Sequence, residues 1–580
     1  MSTSSDPADP AAVGESALWH GELPSSVEIY DTTLRDGSQQ EGISLTVNDK
    51  LRVAQQLDHL GVAYIEGGWP GANPKDGEFF LRAKDELKLA TATLVAFGST
   101  RRAGLLARDD ETLAHLLAAE TNTVCLVAKS SDLHVTEALR TTLEEAVAMV
   151  FDSVRLLVEE GRRVFLDAEH FFDGYRRNRA FALSILAAAE EAGASTLVLC
   201  DTNGGMLPHE VEHVVTDVAA QSSASLGVHF HNDSGCAVAN SIAAVRSGAT
   251  QVQGCVNGYG ERAGNADLCV AIPDFSLKMG IDTIPRERIV LVTPTARHVA
   301  EIVNLTLDPQ KPYVGAAAFA HKAGLHASAI ARRSDAYEHI TPDWVGNGTR
   351  VVVSELAGRS TLAMKAAELG IDLDATATER VLDALKQLEH AGYHFEVADG
   401  SLELLMRAAA GGGPEALSRF FQVESFRVIT DWRRQPGGER GADRLVHPWG
   451  EDGELTTEAT VKVHVAGDRV VETAEGNGPI NALDSALRLA IGRYFPELAA
   501  LHLTDYRVRV LDTGKGTAAV TRVLLDTADE NGSFSTIGVS ENVIEASWQA
   551  LVDSIVFGLL RAGGVGPRAG AQPSDSLGPR

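Results

Sequence analysis

The chain has 580 residues, 44 % of them hydrophobic, and a formal net charge of −28. That length calls for several domains. The negative charge excludes a general nucleic-acid or anionic-membrane partner, while leaving room for an anionic cofactor in a local basic pocket. No apolar run approaches the roughly 18 residues of a membrane span, and the Ser/Asp/Pro/Ala-rich start lacks the basic and apolar regions of a signal peptide. The five cysteines (Cys125, Cys200, Cys236, Cys255, Cys269) contain no C-x-x-C pair and suit buried thiols in a reducing cytoplasm.

Residues 1–24 read as a disordered tail. From Val27 to Asn257, β-branched runs alternate with longer amphipathic segments. The strand candidates are Val27–Thr32, Ala63–Gly67, Thr93–Ser99, Thr123–Lys129, Arg163–Glu169, Thr196–Thr202, Leu226–His231 and Gln251–Asn257. Helical stretches lie between them, among them Val47–Leu60, Leu143–Glu160, Arg179–Ala192 and Ala237–Ser247. Eight strands with intervening helices in about 250 residues match an α/β fold of the (β/α)8 TIM-barrel type, placed at 25–290. A doubly wound sheet would show a glycine-rich phosphate turn after its first strand, where this chain has Arg35-Asp36-Gly37.

Polar residues gather at the strand C-termini: Asp31, Arg35, Asp36, Glu66, Ser99, Lys129, Asp167, Glu169, Asp201, Thr202, Asn203, His229, His231 and Asn257. In a barrel these positions share one mouth, where active sites are built. His229 and His231 stand two apart on a strand and so face the same way. Two histidines plus a carboxylate are a natural divalent-metal set; a pair of satisfied core histidines is the structural alternative.

Beyond the barrel, 291–410 reads as a mostly helical linker subdomain, with His321-Lys322-Ala323-Gly324-Leu325-His326 and Tyr337-Glu338-His339 as its distinctive pieces. A glycine-rich linker around Gly411-Gly412-Gly413-Pro414 follows. The segment 418–560 then repeats one unit. Strands Gln422–Ile429, Ala459–Val465 and Arg469–Glu475 precede a helix at Asn481–Tyr494; strands Tyr506–Leu511, Ala518–Leu525 and Ser533–Val539 precede one at Val543–Leu559. This predicts a C-terminal α+β domain built from a duplicated βββα unit, which carries no dense constellation of titratable groups. The tail from Gly563 is Gly/Pro/Ser/Arg-rich and predicted disordered.

The Asp31-Thr32-Thr33-Leu34-Arg35-Asp36-Gly37 start, the His229-Phe230-His231-Asn232-Asp233 strand end and Gly260-Glu261-Arg262-Ala263-Gly264-Asn265 resemble the α-isopropylmalate synthase and citramalate synthase family of metal-dependent barrels. The similarity runs from about Val27 to Leu560. Glu66–Asp76 and Asp167–Tyr175 look like the longer citramalate synthase branch. The resemblance implies Asp36, His229, His231 and Asn265 as ligands of a divalent metal (Mn, Mg or Zn). It implies Arg35 as a catalytic and substrate-binding group, and Thr202 as holder of a substrate carboxylate. Glu169, His326 and Tyr337 are implied as catalytic groups, with the identity of the base left open. After His326 the chain has Ala327-Ser328, where some relatives carry an acidic residue two places on, so any proton relay through that acid is not carried over.

The activity implied is a cytoplasmic homodimeric acyltransferase condensing acetyl-CoA with pyruvate, with isoleucine as effector of the C-terminal domain. Rival readings are the same chemistry on 2-oxoisovalerate or 2-oxoglutarate, and a carbon–carbon lyase on the same barrel. Such lyases carry a cysteine in the loop after strand eight; here that loop, Asn257–Asn265, has none. A non-enzymatic amino-acid sensor is a further alternative, resting on the C-terminal repeat alone.

Overall fold

The computed structural model describes residues 23–321, 333, 337–351, 358–411, 418–434, 453–511, 518–530 and 532–563. The chain divides into two compact units, Met1–Ala320 with Glu338–Arg350, and His321–Tyr337 with Val351–Arg580.

The first unit is a closed barrel of eight parallel strands in sequence order. They are β1 (Glu28–Asp31), β2 (Tyr64–Gly68), β3 (Thr93–Ser99), β4 (Thr123–Lys129), β5 (Arg163–Glu169), β6 (Thr196–Asp201), β7 (Ser225–Phe230) and β8 (Gln251–Gly254). β1 closes the ring on β8, with Ile29 opposite Val252. Alternation along each strand divides the apolar residues between two cores. Ile29, Ile65, Val124, Leu166, Leu197, Val228 and Val252 join helix residues such as Leu57, Phe79 and Leu116 in the large outer core. Tyr30, Tyr64, Val95, Phe97, Cys125 and Phe165 pack on one another inside the barrel.

The inward parity then assigns the polar positions. Two residues beyond Tyr64, Phe97 and Phe165, the same face carries Glu66, Ser99 and Asp167; on β7 and β8 it carries His229 and Gln253. The helices follow local signals. In Val47–Leu60, the Thr46 hydroxyl accepts from the Asp49 N–H, the Asp49 carboxylate accepts from the Thr46 N–H, and Gly61 ends the helix at φ 99°. The predicted strand eight is shorter in the structure. Past Gly254 the Cys255 N–H bonds to the Ala266 carbonyl and Asn257 adopts φ 59°, so the chain turns rather than extends.

In the second unit, helices Arg359–Glu368, Ala375–His390 and Asp399–Ala410 pack through Leu362, Val381, Leu385, Leu402 and Met406. The duplicated unit is present as two three-stranded antiparallel sheets. Gln422–Arg434, Gly453–Val465 and Asp468–Gly476 lead to helix Pro479–Ile491; His502–Val510, Thr521–Asp529 and Gly532–Ser540 lead to helix Val543–Arg561. The first strand outruns its expected end, because Thr430, Asp431 and Trp432 continue the ladder against Thr457, Thr456 and Leu455. Helix Val543–Arg561 is long and apolar enough to cross a membrane, but 61 % of its apolar window is buried, with Leu551 and Ile555 packed among Val523 and Leu525.

Candidate active site

A cavity of about 540 Å³ opens at the C-terminal end of the barrel strands. Its lining includes Arg35, Asp36, Phe97, Lys129, Glu169, Thr202, His229 and His231. The turn after β1 brings in the first two. Its backbone is held by Arg35 and Gly37 N–H groups bonded to the Thr32 carbonyl, and by the Asp31 carboxylate accepting from the Thr33 N–H and hydroxyl at 2.9 Å each. Asp31 is thus a turn-maker. Asp201 acts likewise, accepting from the Met206 N–H at 2.9 Å, and Asn257 donates to the Ala296 carbonyl at 2.8 Å.

Asp36, His229 and His231 converge. The Asp36 Oδ2 lies 3.2 Å from His229 Nε2 and 3.9 Å from His231 Nε2. Donors sharing one ion at about 2.0–2.2 Å lie within about 4.4 Å of each other, so these spacings fit a common metal. Asn265 adjoins them: it bridges His231 across the strand end, and its amide nitrogen donates to the Tyr259 carbonyl at 3.0 Å. Its buried Oδ1 has no hydrogen-bond partner among the described residues, and neither has His231 Nδ1. A buried carbonyl oxygen left unpaired is costly, and a cation beside the triad would satisfy it. Gly260 makes room for this amide. At φ +152°, a Cβ there would come within 2.4 Å of Asn265 Nδ2.

The electrostatics agree with a metal-ready set. Burial opposes ionisation of Asp36, yet Arg35 and the two histidines outweigh it and hold the carboxyl far below its usual range. Burial and the neighbouring His229 push His231 down to about 4, leaving it neutral at pH 7. His229 moves the other way: burial lowers it, but the Asp36 carboxylate prevails and raises it.

Arg35 is fixed on three sides. Its Nε donates to Glu66 Oε1 at 2.5 Å, its Nη1 lies 3.6 Å from Asp36 Oδ2, and its guanidinium carbon sits 3.9 Å over the Phe97 ring. Glu66, fully buried, also accepts from the Tyr30 hydroxyl at 2.6 Å. Glu169 pairs with Lys129, and the Thr202 hydroxyl oxygen accepts from the His170 N–H at 2.9 Å. Arg262 ties three loops together: it donates to both Asp233 oxygens, at 2.8 and 2.9 Å, and to the Thr202 carbonyl at 2.8 Å.

The structure therefore gathers Arg35, Asp36, Glu169, Thr202, His229 and His231 around one cavity, with Asn265 beside it. Tyr337 belongs to the second unit and is 45 % exposed; His326 lies outside the described residues. Sequence reasoning gave no role to Gln253 or Trp69. Trp69 packs edge to face on Phe97 at 5.5 Å, and the two wall the cavity beside Arg35. Strand parity alone would have aimed Gln253 inward.

Three family models match the chain: HMGL-like over residues 26–282, the homocitrate synthase post-HMGL domain over 313–392, and the LeuA allosteric (dimerisation) domain over 396–558. The chain is 53 % identical to the (R)-citramalate synthase of Streptomyces coelicolor, over 93 % of this chain and 98 % of that protein. It is 49 % identical to the Synechocystis enzyme of the same name, over 92 % and 96 %, and 48 % identical to that of Aquifex aeolicus, over 93 % and 99 %. With the barrel, the post-barrel segment and the duplicated C-terminal fold matched in one order, the chain belongs to the α-isopropylmalate synthase and citramalate synthase family.

Proposed function

We propose that this chain condenses acetyl-CoA with pyruvate and hydrolyses the thioester, giving (R)-citramalate and free CoA. The observation that carries the reading is the Asp36–His229–His231 triad beside Arg35 at the barrel mouth, in a chain that matches (R)-citramalate synthases almost end to end. Asp36, His229, His231 and Asn265 would hold a divalent metal; carboxylate, imidazole and amide donors suit Mn²⁺, Mg²⁺ or Zn²⁺. When bound, the metal supplies Lewis acidity to the 2-oxo acid's ketone.

The protein's own groups do the rest. Arg35, held by Glu66 and Phe97, donates to the oxygen that gains charge as the ketone is attacked. The Thr202 oxygen accepts from His170, so its own O–H is free to donate to the substrate carboxylate. Glu169, His326 and Tyr337 are the proton-handling groups for the weakly acidic thioester methyl. A new carbon–carbon bond joins that methyl carbon to the ketone carbon; water then cleaves the thioester and the CoA thiol leaves. Arg102 on the cavity lining favours an anionic co-substrate, whereas Arg101 is paired with Glu145 and Asp152 and Lys129 with Glu169.

The same reading makes the barrel at 25–290 the catalytic domain. The segment at 291–410 contributes His326 and Tyr337, and 418–560 is an isoleucine-sensing domain of a cytoplasmic homodimer. The match to a LeuA allosteric (dimerisation) domain supports the last part. Free CoA release from acetyl-CoA, measured against a panel of 2-oxo acids, tests it. Pyruvate is expected to give the highest kcat/KM; a higher value for 2-oxoisovalerate would make the chain an isopropylmalate synthase.

A further inference from the structure

Beneath the triad, two buried residues form a chain of hydrogen bonds that ends on a proposed ligand. Gln253 Oε1 lies 2.9 Å from His229 Nδ1, and Gln253 Nε2 donates to Asp167 Oδ1 at 3.0 Å. Both side chains are buried, Gln253 entirely, and they join β8 to β5 across the barrel interior. We propose that Asp167 and Gln253 are positioning residues that fix the tautomer of His229 and so keep its Nε2 lone pair free for the metal. The inference rests on the reading of Asp36, His229 and His231 as a metal site.

Burial raises the Asp167 carboxyl against the pull of His229 and Arg35; for its ionised form, donor and acceptor counting sets the direction. A carboxylate only accepts, so Asp167 takes the NH₂ end of the Gln253 amide. That leaves the amide oxygen facing His229, and an oxygen can only accept from Nδ1–H. The neutral imidazole has a single proton, so Nε2 is left bare, on the side where Asp36 Oδ2 lies 3.2 Å away. With the amide reversed, its N–H would face Nδ1, the imidazole proton would sit on Nε2, and the lone pair would be lost. The neighbouring Glu66–Cys125–Asp167 cluster is close enough to suggest a second ion. Yet Tyr30 and Arg35 donate to the two Glu66 oxygens and Gln253 donates to Asp167 Oδ1, so three of its four carboxylate oxygens already accept from protein donors.

The test is Mn²⁺ titrated calorimetrically into metal-stripped full-length protein, with His231→Ala as the reference for a broken site. Gln253→Met keeps the bulk of the side chain and removes the acceptor; affinity is expected to fall about 10- to 100-fold. Asp167→Asn lets the amide turn and is expected to weaken binding in the same direction. The double variant Asp167→Asn/Gln253→Glu exchanges the roles at constant charge: the new carboxylate accepts from His229 Nδ1–H and from the new amide. It should recover to within about threefold of wild type, the non-additivity expected of coupled neighbours.

Wild-type affinity in Gln253→Met overturns the relay and leaves the metal site standing. A double variant no better than its single parents also overturns it, since the loss would then follow from packing rather than from hydrogen-bond direction. Should Gln253→Met fail to fold by circular dichroism, Asp167→Asn against the double variant decides the matter alone. If wild type binds no more tightly than His231→Ala, the metal reading falls and the relay with it.

Discussion

Replacing Arg35 by lysine separates a catalytic arginine from a merely structural one. The guanidinium uses its Nε on Glu66 at 2.5 Å, keeps Nη1 3.6 Å from Asp36 and lies 3.9 Å over Phe97. Glu66 is fully buried, and leaving a buried charge without its partner costs about 3–5 kcal/mol. In the Arg35→Lys variant the ammonium is therefore expected to turn down to Glu66, which leaves no second donor for the oxygen gaining charge. A lysine is a point charge without a fork, and losing one such donor costs about 100- to 1,000-fold in turnover, or about 2.7–4 kcal/mol. Metal affinity should change by less than about threefold, because a positive charge remains beside Asp36. The assay is CoA thiol release at saturating pyruvate, paired with Mn²⁺ titration. A loss of turnover below about tenfold with metal binding intact would return Arg35 to the role of an ion-pair partner.

Gly260→Ala should weaken Mn²⁺ binding by about tenfold or more: its Cβ would come within 2.4 Å of Asn265 Nδ2 at a φ of +152°, and such strain costs about 1–3 kcal/mol; unchanged affinity by calorimetry would remove Asn265 from the ligand set. In the second unit, burial pushes the Asp553 carboxyl from 3.8 up to about 6, against a hydrogen bond from Ser401 Oγ at 2.6 Å. Between those pH values the folded state binds more protons than the unfolded one, so stability falls as pH rises from about 4 to about 6, by at most about 3 kcal/mol. Urea midpoints across that window should show this slope in wild type and a flatter one in Asp553→Asn; equal slopes refute the assignment. Isoleucine is expected to inhibit the full chain and not a chain ending at Gly411, because an effector must bind the less active state more tightly, at about 1.4 kcal/mol per tenfold preference; equal sensitivity of both forms would refute a C-terminal effector site.

The sequence by itself determined whatever depends on neighbours in the chain. Eight apolar runs became eight barrel strands because period-two alternation decides which residues face the helices and which face inward. The i, i+2 spacing of His229 and His231 placed both rings on one face, and the capping box at Thr46 and Asp49 with Gly61 marked a helix at both ends. Parity stops being informative where the extended backbone ends. Asp31, Asp201 and Asn257 stood beside Asp36 in the sequence reading, yet Asp31 and Asp201 hold local turns and Asn257 bonds to the Ala296 carbonyl while Asp36 reaches the triad, because where the chain turns, side-chain direction follows the bonds made there. The tertiary structure alone decided the pairings between distant strands. Glu66 lies 31 residues from Arg35, Gln253 lies 86 from Asp167, and neither pair leaves a local trace. Closure of the barrel brings such residues within about 3 Å of one another, and burial away from water then makes each donor and acceptor seek the partner it finds there.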